Sequence, residues 1–427
     1  MTSEAPNEAS ITVRNAGPLR GEVVVPGAKN SVLKLMAASL LADGVYEITN
    51  VPSIVDVSIM ADLLRAIGLV VNVDEPGIVT IVNSGDLEPV APFELVERIR
   101  ASINVLGPLL ARCGHVRLAL PGGDDFGTRP IDMHIAGLEA MGASFRTGGG
   151  YVEASAERLH GAEVTFDFPS VGATENLLTA AVFADGVTTI HNAAREPEII
   201  DLCDFLVSMG AQVTGAGTST LQITGVERDA LHGCNHETVP DRIQAATYIA
   251  ACAVTAGELD LINVKPAHME MALSRFRDMG MQLTALPYGL RVAAPERLRA
   301  VDVATLPYPG IATDYKPVII AMLSVAEGVA IVTENLYPGR FRYVDELVKL
   351  GADIRIDGHH AIVRGVPRLA GAHVISHDIR AGAAMVVAGL AAGGTTTITG
   401  VHHIDRGYDD LVGRLGAVGA EIERFDT

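Results

Sequence analysis

The side chains best suited to chemistry stand in the stretch Leu120-Pro-Gly-Gly-Asp-Asp-Phe-Gly-Thr-Arg-Pro130. Two adjacent carboxylates, Asp124 and Asp125, precede the guanidinium of Arg129. A carboxyl group can give or take a proton, and a guanidinium can hold an anion. Three glycines and two prolines exclude a helix or a long strand here, so the stretch is a loop. Loops of this kind carry functional side chains, and a solvated turn has the same composition.

More charged residues recur near expected helix starts. Gly27-Ala-Lys29-Asn30-Ser31 precedes an apolar helix pattern from Val32 to Leu41, which Asn30 or Ser31 can cap. Lys29 then stands at the positive end of the helix dipole, a place for an anion, or on solvated surface. Arg100-Ala-Ser-Ile103 opens a helix as either a ligand or a plain surface residue. Pro169-Ser-Val-Gly-Ala-Thr174 is a turn whose N–H groups suit a phosphate or carbonyl, and a helix cap explains it equally. Ala194-Arg-Glu196-Pro-Glu198 is a charged loop. Asp241 and Asp314 each open a helix, the first as an N-cap, the second as a cap or a base. Arg340, Arg342, Asp378, Arg380, Asp405 and Arg406 add further Arg/Asp sites. The pairs His359-His360 and His402-His403 lack a third ligand at metal spacing, so no metal site is expected. Brought together, Lys29, Arg129, Arg340, Arg380 and Arg406 would face Asp124, Asp314 and Asp378 in a cleft that binds anionic groups and moves protons.

The elements that must position these residues repeat. A helix end, a glycine and a strand-like run recur at Gly44, Gly114, Gly186, Gly257, Gly328 and Gly394, at intervals of 70, 72, 71, 71 and 66 residues. A second phrase, a hydrophobic-Gly helix end, recurs at Gly68, Gly142, Gly210, Gly280, Gly351 and Gly419. Each of those glycines fits the left-handed position that closes a helix. Six βαβαββ units of about 70 residues follow, and such a unit alone has too little core to stand by itself. The expected class is α/β, with two three-unit domains: residues 1–28 with 240–427, and 29–239, which carries the loop 120–130. The opening strands, Ser10-Ile-Thr-Val13 and Gly21-Glu-Val-Val-Val25, are expected to complete the last unit.

Composition narrows the function. The 427 residues are 48% hydrophobic and carry a net charge of −19, which disfavours nucleic acid and anionic membrane surfaces as partners. Cys113, Cys203, Cys234 and Cys252 lack metal or CxxC spacing and read as reduced, buried thiols. The polar, acidic N-terminus is not a signal peptide, so a cytoplasmic protein is expected.

The ordered motifs Gly27-Ala-Lys-Asn30, Arg100-Ala-Ser102, Leu120-Pro-Gly-Gly123, Arg129-Pro130, Ser170-Val-Gly-Ala-Thr174, Ala193-Ala-Arg-Glu-Pro-Glu198, Pro240-Asp-Arg242, Thr313-Asp314 and His403-Ile-Asp-Arg-Gly-Tyr408 resemble those of the UDP-N-acetylglucosamine 1-carboxyvinyltransferases. The resemblance runs from about residue 10 to the end. It implies the two-domain inside-out α/β barrel, with helices inside. It also implies transfer of the enolpyruvyl group of phosphoenolpyruvate to the 3′-hydroxyl of UDP-N-acetylglucosamine, without metal or organic cofactor. Two other functions remain open: a specialised transferase acting on another nucleotide or sugar, and a non-catalytic paralogue that binds a UDP-sugar. The sister 3-phosphoshikimate carboxyvinyltransferases share the fold but carry other motifs around the lysine and the first arginine. Oligomeric state is left open.

Position by position, the resemblance assigns Lys29, Asn30, Arg129 and Arg406 to phosphoenolpyruvate. Arg100, Arg129, Pro130, Ile131, Asp132, Met133, Phe168, Pro169, Ser170, Val171, Asp314 and Leu336 line the nucleotide sugar. Asp124 is the expected proton donor, Asp314 the base, and Lys29 and Arg406 stabilise developing charge. Glu196, Asp241, Arg340, Asp378 and Arg380 are further cleft positions. Most members have Cys where this chain has Asp124, and that thiol is the target of fosfomycin. Members with Asp, actinobacterial ones among them, look like this chain, so fosfomycin resistance is expected. Phe168 replaces a Lys found in some members, and Tyr315-Lys316 and Tyr337-Pro-Gly339 differ from commoner forms.

Overall fold

The structure, a computed structural model, describes residues 9–15, 17–123 and 130–426. Residues as far as 26 together with 240–426 form one compact unit, and 27–123 with 130–239 form another. Each has its own apolar core.

Among the described residues the β-runs form six four-stranded sheets of one design and one two-stranded pair. In the sheet of Glu163–Thr165, Val187–His191, Thr220–Thr224 and Gln212–Thr214, the first pair is parallel and the others antiparallel. Val187–His191 and Thr220–Thr224 bury every second side chain, as sheets with one solvated face do. The pattern recurs around Gly44–Thr49 and His115–Ala119 in the same unit. In the other unit it recurs around Glu258–Ile262 and Val329–Thr333, and with Thr395–Thr399.

Five of the helices among the described residues are buried on nearly every side. Ile379–Ala391 is buried throughout, Lys316–Leu323 likewise, and Arg242–Val254 is buried except at Val254. These three pack on one another, and each also supports strands of its own sheet. Their alanines and glycines let the helices approach closely, and a helix apolar all round belongs in a core. Lys29–Ala38, buried except at Asn30, is an interior helix of the second unit, where Leu106–Cys113 packs against Val171–Ala181. The helices are therefore inside and the sheets outside. Amphipathic helices such as Val55–Ile67 and Pro197–Met209 connect the strands. The six hydrophobic-Gly helix ends all have positive φ, between 89° at Gly351 and 119° at Gly68.

Three expectations need correction. Only the first opening strand, Ser10–Arg14, joins the last unit, between Thr395–Thr399 and Glu421–Phe425. The second, Arg20–Val24, pairs in parallel with Glu258–Ile262 and so completes the fourth unit. The fourth unit is thus begun before the chain enters residues 27–239 and finished after it returns. Asn235–Glu237 does the same for the first unit, pairing with Gly44–Thr49. The interior helix starts at Lys29, with Ala28 as N-cap and no side-chain cap, because the Ser31 hydroxyl donates to Asp201 instead. Cys203 and Cys252 are buried, but Cys113 and Cys234 are partly exposed. No helix among the described residues is long and apolar enough to cross a membrane.

Gly27 shows how closely the chain packs at the entry to residues 27–239. A Cβ there would lie 1.6 Å from the Asn50 carbonyl oxygen. Gly27→Ala should therefore cost about 1–3 kcal/mol, the usual range for overpacking, and lower Tm in calorimetry. Gly148→Ala, with nothing within 4 Å, should leave Tm unchanged.

Candidate functional site

In the unit of residues 240–426, interior helix starts bring carboxylates and guanidiniums together. Asp314 lies in the 3-10 turn Thr313–Tyr315, for which Ala312 is the N-cap, so Asp314 is not a cap. Its carboxylate accepts from Arg340 Nη1 at 2.7 Å and from Arg380 Nε at 3.2 Å. The Asp314 side chain is 24% exposed, while those of Arg340 and Arg380 are 2% and 4% exposed. Asp378 caps Ile379–Ala391 through the N–H groups of Arg380 and Ala381, and lies 4.0 Å from Arg340 Nη2. Asp241 caps Arg242–Val254 through Ile243 and Gln244. Burial disfavours the charge on Arg340, but Asp314 and Asp378 outweigh it and raise its pKa. Arg380 is raised likewise, with burial opposed by Tyr408, Asp314 and Asp241. Arg406 follows the short helix His402–Asp405 and is partly exposed. Nearby, the Tyr408 and Thr247 hydroxyls are 2.9 Å apart.

Beneath Asp314 runs a second layer, in which Lys316, marked in the sequence only as differing from commoner forms, meets a glutamate that the sequence did not mark. Lys316 and Glu334, both with side chains 0% exposed, form an ion pair at 2.9 Å. Glu334 also accepts from Thr305, Thr313 and the N–H groups of Leu336 and Tyr337. That fixes Leu336, one of the expected sugar-lining positions, by its backbone.

In the unit of residues 27–239, Lys29 Nζ pairs with Asp56 at 2.9 Å. Asp56 was missed, yet its phase was legible: it precedes Met60 by four residues on the core-facing side of Val55–Ile67. Deeper in the unit, Lys34 pairs with Glu175 of Val171–Ala181, both side chains nearly buried. Ser170 accepts from the Ala173 N–H, so the turn at Phe168, Pro169, Ser170 and Val171 includes a true helix cap. Thr174 accepts from Ala194 N, which ties that cap to the strand end before Glu196, itself the N-cap position of Pro197–Met209. Phe168 is 42% exposed.

Arg100 donates weakly to the carbonyls of Pro121, at 3.5 Å, and Pro130, at 3.3 Å, on the two sides of the loop. Asp124, Asp125 and Arg129 lie outside the described residues. After Pro130, Ile131 is the N-cap position of the helix Asp132–Ala140, which carries Asp132 and Met133 in its first turn. His134, also missed, is buried, and neither ring nitrogen has a hydrogen-bond partner among the described residues. Burial first, then Arg100, lowers its pKa to about 4, so it is neutral at pH 7. Within one unit the structure thus joins Asp314, Arg340, Arg380, Asp378 and Asp241. Within the other it ties Lys29 to Asp56 and Arg100 to Pro130.

This arrangement has known relatives. The family described as EPSP synthase (3-phosphoshikimate 1-carboxyvinyltransferase) matches residues 13–415. A UDP-N-acetylglucosamine 1-carboxyvinyltransferase of Mycobacterium bovis is 53% identical, over 96% of this chain and 98% of the relative. The chain belongs to the UDP-N-acetylglucosamine 1-carboxyvinyltransferase branch of that family. A protein of the same name from Nocardia farcinica is 52% identical, over 96% of this chain and 97% of its own length. The crystal structure of the enolpyruvyl transferase NikO from Streptomyces tendae matches 99% of this chain and 100% of its own, with a TM-score of 0.89 and 26% identity. These matches establish the enolpyruvyl transferase fold for both three-sheet units.

The Lys34–Glu175 pair carries a pH signature. Burial raises the Glu175 pKa from 4.5 to about 7, against the opposing pull of Lys34. A carboxyl raised in the folded state adds stability that is full below its unfolded pKa and lost as pH rises through the folded value. The stability advantage of the wild type over Glu175→Gln should therefore shrink between pH 4.5 and about 7. Tm measured at both ends of that window checks this, and an advantage that grows with pH would refute it.

Proposed function

We propose that this chain transfers the enolpyruvyl group of phosphoenolpyruvate to the 3′-hydroxyl of UDP-N-acetylglucosamine, releasing phosphate, as the first committed step of peptidoglycan synthesis. The observation that carries the reading is the Asp314 carboxylate, partly exposed and oriented by two buried guanidiniums. A base needs a fixed direction and access to its substrate, and Asp314 has both. The relatives named above support the choice of acceptor.

In this reading the 3′-oxygen bonds to C2 of phosphoenolpyruvate while its proton passes to Asp314. C3 takes a proton from Asp124, which leaves a tetrahedral intermediate with a methyl group. The C3 proton then passes back to the Asp124 carboxylate as the C2–O bond to phosphate breaks, which restores the double bond, and the departing phosphate takes the proton held by Asp314. Lys29, Arg129 and Arg406 hold the phosphate and carboxylate of phosphoenolpyruvate, with Asn30 beside them, and offset the charge that develops on the leaving group. The Lys29 helix lacks a side-chain cap, which suits its positive end to an anion. Arg100, the segment from Arg129 to Met133, the turn from Phe168 to Val171, and Leu336 line the nucleotide sugar. Glu196, Asp241, Arg340, Asp378 and Arg380 orient these groups. The reaction belongs in the cytoplasm and in cell-wall biogenesis. A second reading, transfer to another nucleotide acceptor, draws on Phe168, an exposed aromatic ring beside the turn assigned to the nucleotide.

Phosphate release from phosphoenolpyruvate, measured with and without UDP-N-acetylglucosamine, tests the proposal. Release that requires this acceptor is expected. Release only with another nucleotide would favour the second reading, and none with any acceptor would refute both. Asp124→Asn should lower kcat by about 10²–10⁴-fold, the usual contribution of a general acid. A near-normal kcat would remove Asp124 from the mechanism. With a carboxyl in place of a thiol at position 124, preincubation with fosfomycin should leave the wild-type rate unchanged, and covalent labelling would contradict this.

A further inference from the structure

Asp314 is held by two guanidiniums, and one of them, Arg340, is itself held from behind. That support begins at Lys316, two residues after Asp314, where the helix Lys316–Leu323 starts. Its side chain is 0% exposed. Its ammonium donates to the Arg340 carbonyl oxygen at 2.5 Å, pairs with Glu334 Oε2 at 2.9 Å and lies 3.9 Å from the centroid of the Phe341 ring. Glu334 in turn accepts from Thr313 Oγ1 at 2.7 Å, and Thr313 Oγ1 accepts from Arg340 Nη1 at 3.2 Å. Arg340 Nη1 also reaches Asp314 at 2.7 Å. The contacts form a closed ring: Lys316 to Glu334, to Thr313, to Arg340, and back through the Arg340 carbonyl to Lys316. Asp314 hangs from that ring.

A buried ion pair is weak evidence for stability, since packed apolar groups of similar size often do as well. Its distinctive effect here is geometric. Lys316 grips the backbone of the residue whose guanidinium grips Asp314. Glu334 meanwhile fixes the turn at Leu336 and Tyr337 that leads into Arg340. A shift of that turn would move the guanidinium, and with it the direction in which the Asp314 carboxylate points.

We propose that Lys316 is a positioning residue for the transfer reaction, acting through Glu334 and the Arg340 carbonyl to place the Arg340 guanidinium and so the Asp314 carboxylate. The inference rests on the role given to Asp314 above. Lys316 touches neither substrate in this account.

The protonation of Lys316 offers a readout that a merely structural role would not share. Burial lowers its pKa to about 8, more than Glu334 raises it; Arg340 lowers it further and Asp378 raises it. Glu334 is held below its ordinary value, because Lys316, Thr305 and Thr313 outweigh its burial, and so stays charged. Tyr343, whose ring also faces the ammonium, is raised well above its ordinary value and stays neutral. Lys316 therefore loses its charge near pH 8 while its partners keep their states, and wild-type kcat should fall above that pH.

Two variants of similar volume test the proposal. Lys316→Met fills the space without a donor, and Lys316→Gln keeps a donor without the charge. The full-length protein is assayed by phosphate release from phosphoenolpyruvate with UDP-N-acetylglucosamine, with Tm measured alongside. Lys316→Met should lower kcat on the order of 10²-fold, the effect expected of a misplaced catalytic group. KM for the nucleotide sugar should change less than threefold. Lys316→Gln should recover about tenfold of the loss, and its kcat should no longer fall near pH 8. The proposal is overturned if both variants keep the wild-type kcat and alkaline fall, or if kcat drops only in step with Tm. A wild type that releases no phosphate with this acceptor sinks the reading of Asp314 itself. Active wild type with unaltered variants sinks only the role of Lys316.

Discussion

Two buried guanidiniums beside one carboxylate set the terms for the unit of residues 240–426. Taking such charges out of water costs several kcal/mol per ion unless neighbours compensate. Arg340 is compensated by Asp314 and Asp378, and Arg380 by Tyr408, Asp314 and Asp241. Those carboxylates sit where helices start. Asp241 and Asp378 also cap their helices, so one carboxylate satisfies orphan N–H groups and balances a cation. Three such helix starts converge because the helices behind them are narrow and buried on all sides. The alanine-rich interior is thus a condition of the charged site.

The unit of residues 27–239 solves the same problem with the signs rearranged. Its first interior helix opens on a cation, Lys29, and the compensating Asp56 comes from the neighbouring amphipathic helix. The helix carries no side-chain cap of its own, which leaves its positive end to serve an anion. Lys34 and Glu175 join two interior helices farther in, where the raised pKa of Glu175 shows how strongly burial acts. Polar residues on interior helices follow one rule in both units: each long charged side chain meets a partner from another element.

The repeat was legible because glycine at a helix end has one conformational meaning, and the six hydrophobic-Gly pairs kept it. Strand exchange was not. Arg20–Val24 reads locally like any strand, and nothing in its pattern marks a partner that lies beyond residue 257. Asp378 read only as a charged position, whereas the cap at Asp241 and the Ser170 turn could be read from residue type before a helix. The absence of a cap at Lys29 could not, since it depends on Asp201 drawing Ser31 away. Lys34 and Glu175 escaped notice for a common reason. A lysine or glutamate in a sequence reads as a solvated face, and only packing reveals a helix with no solvated face at all.

The transfer chemistry turns on the direction of the Asp314 carboxylate. A crystal structure with UDP-N-acetylglucosamine bound tests that most directly. An Asp314 oxygen should lie within about 2.6–3.2 Å of the sugar 3′-oxygen, with Arg340 still bonded to the carboxylate. A bound sugar whose 3′-oxygen meets another group, with Asp314 still closed between Arg340 and Arg380, would contradict it.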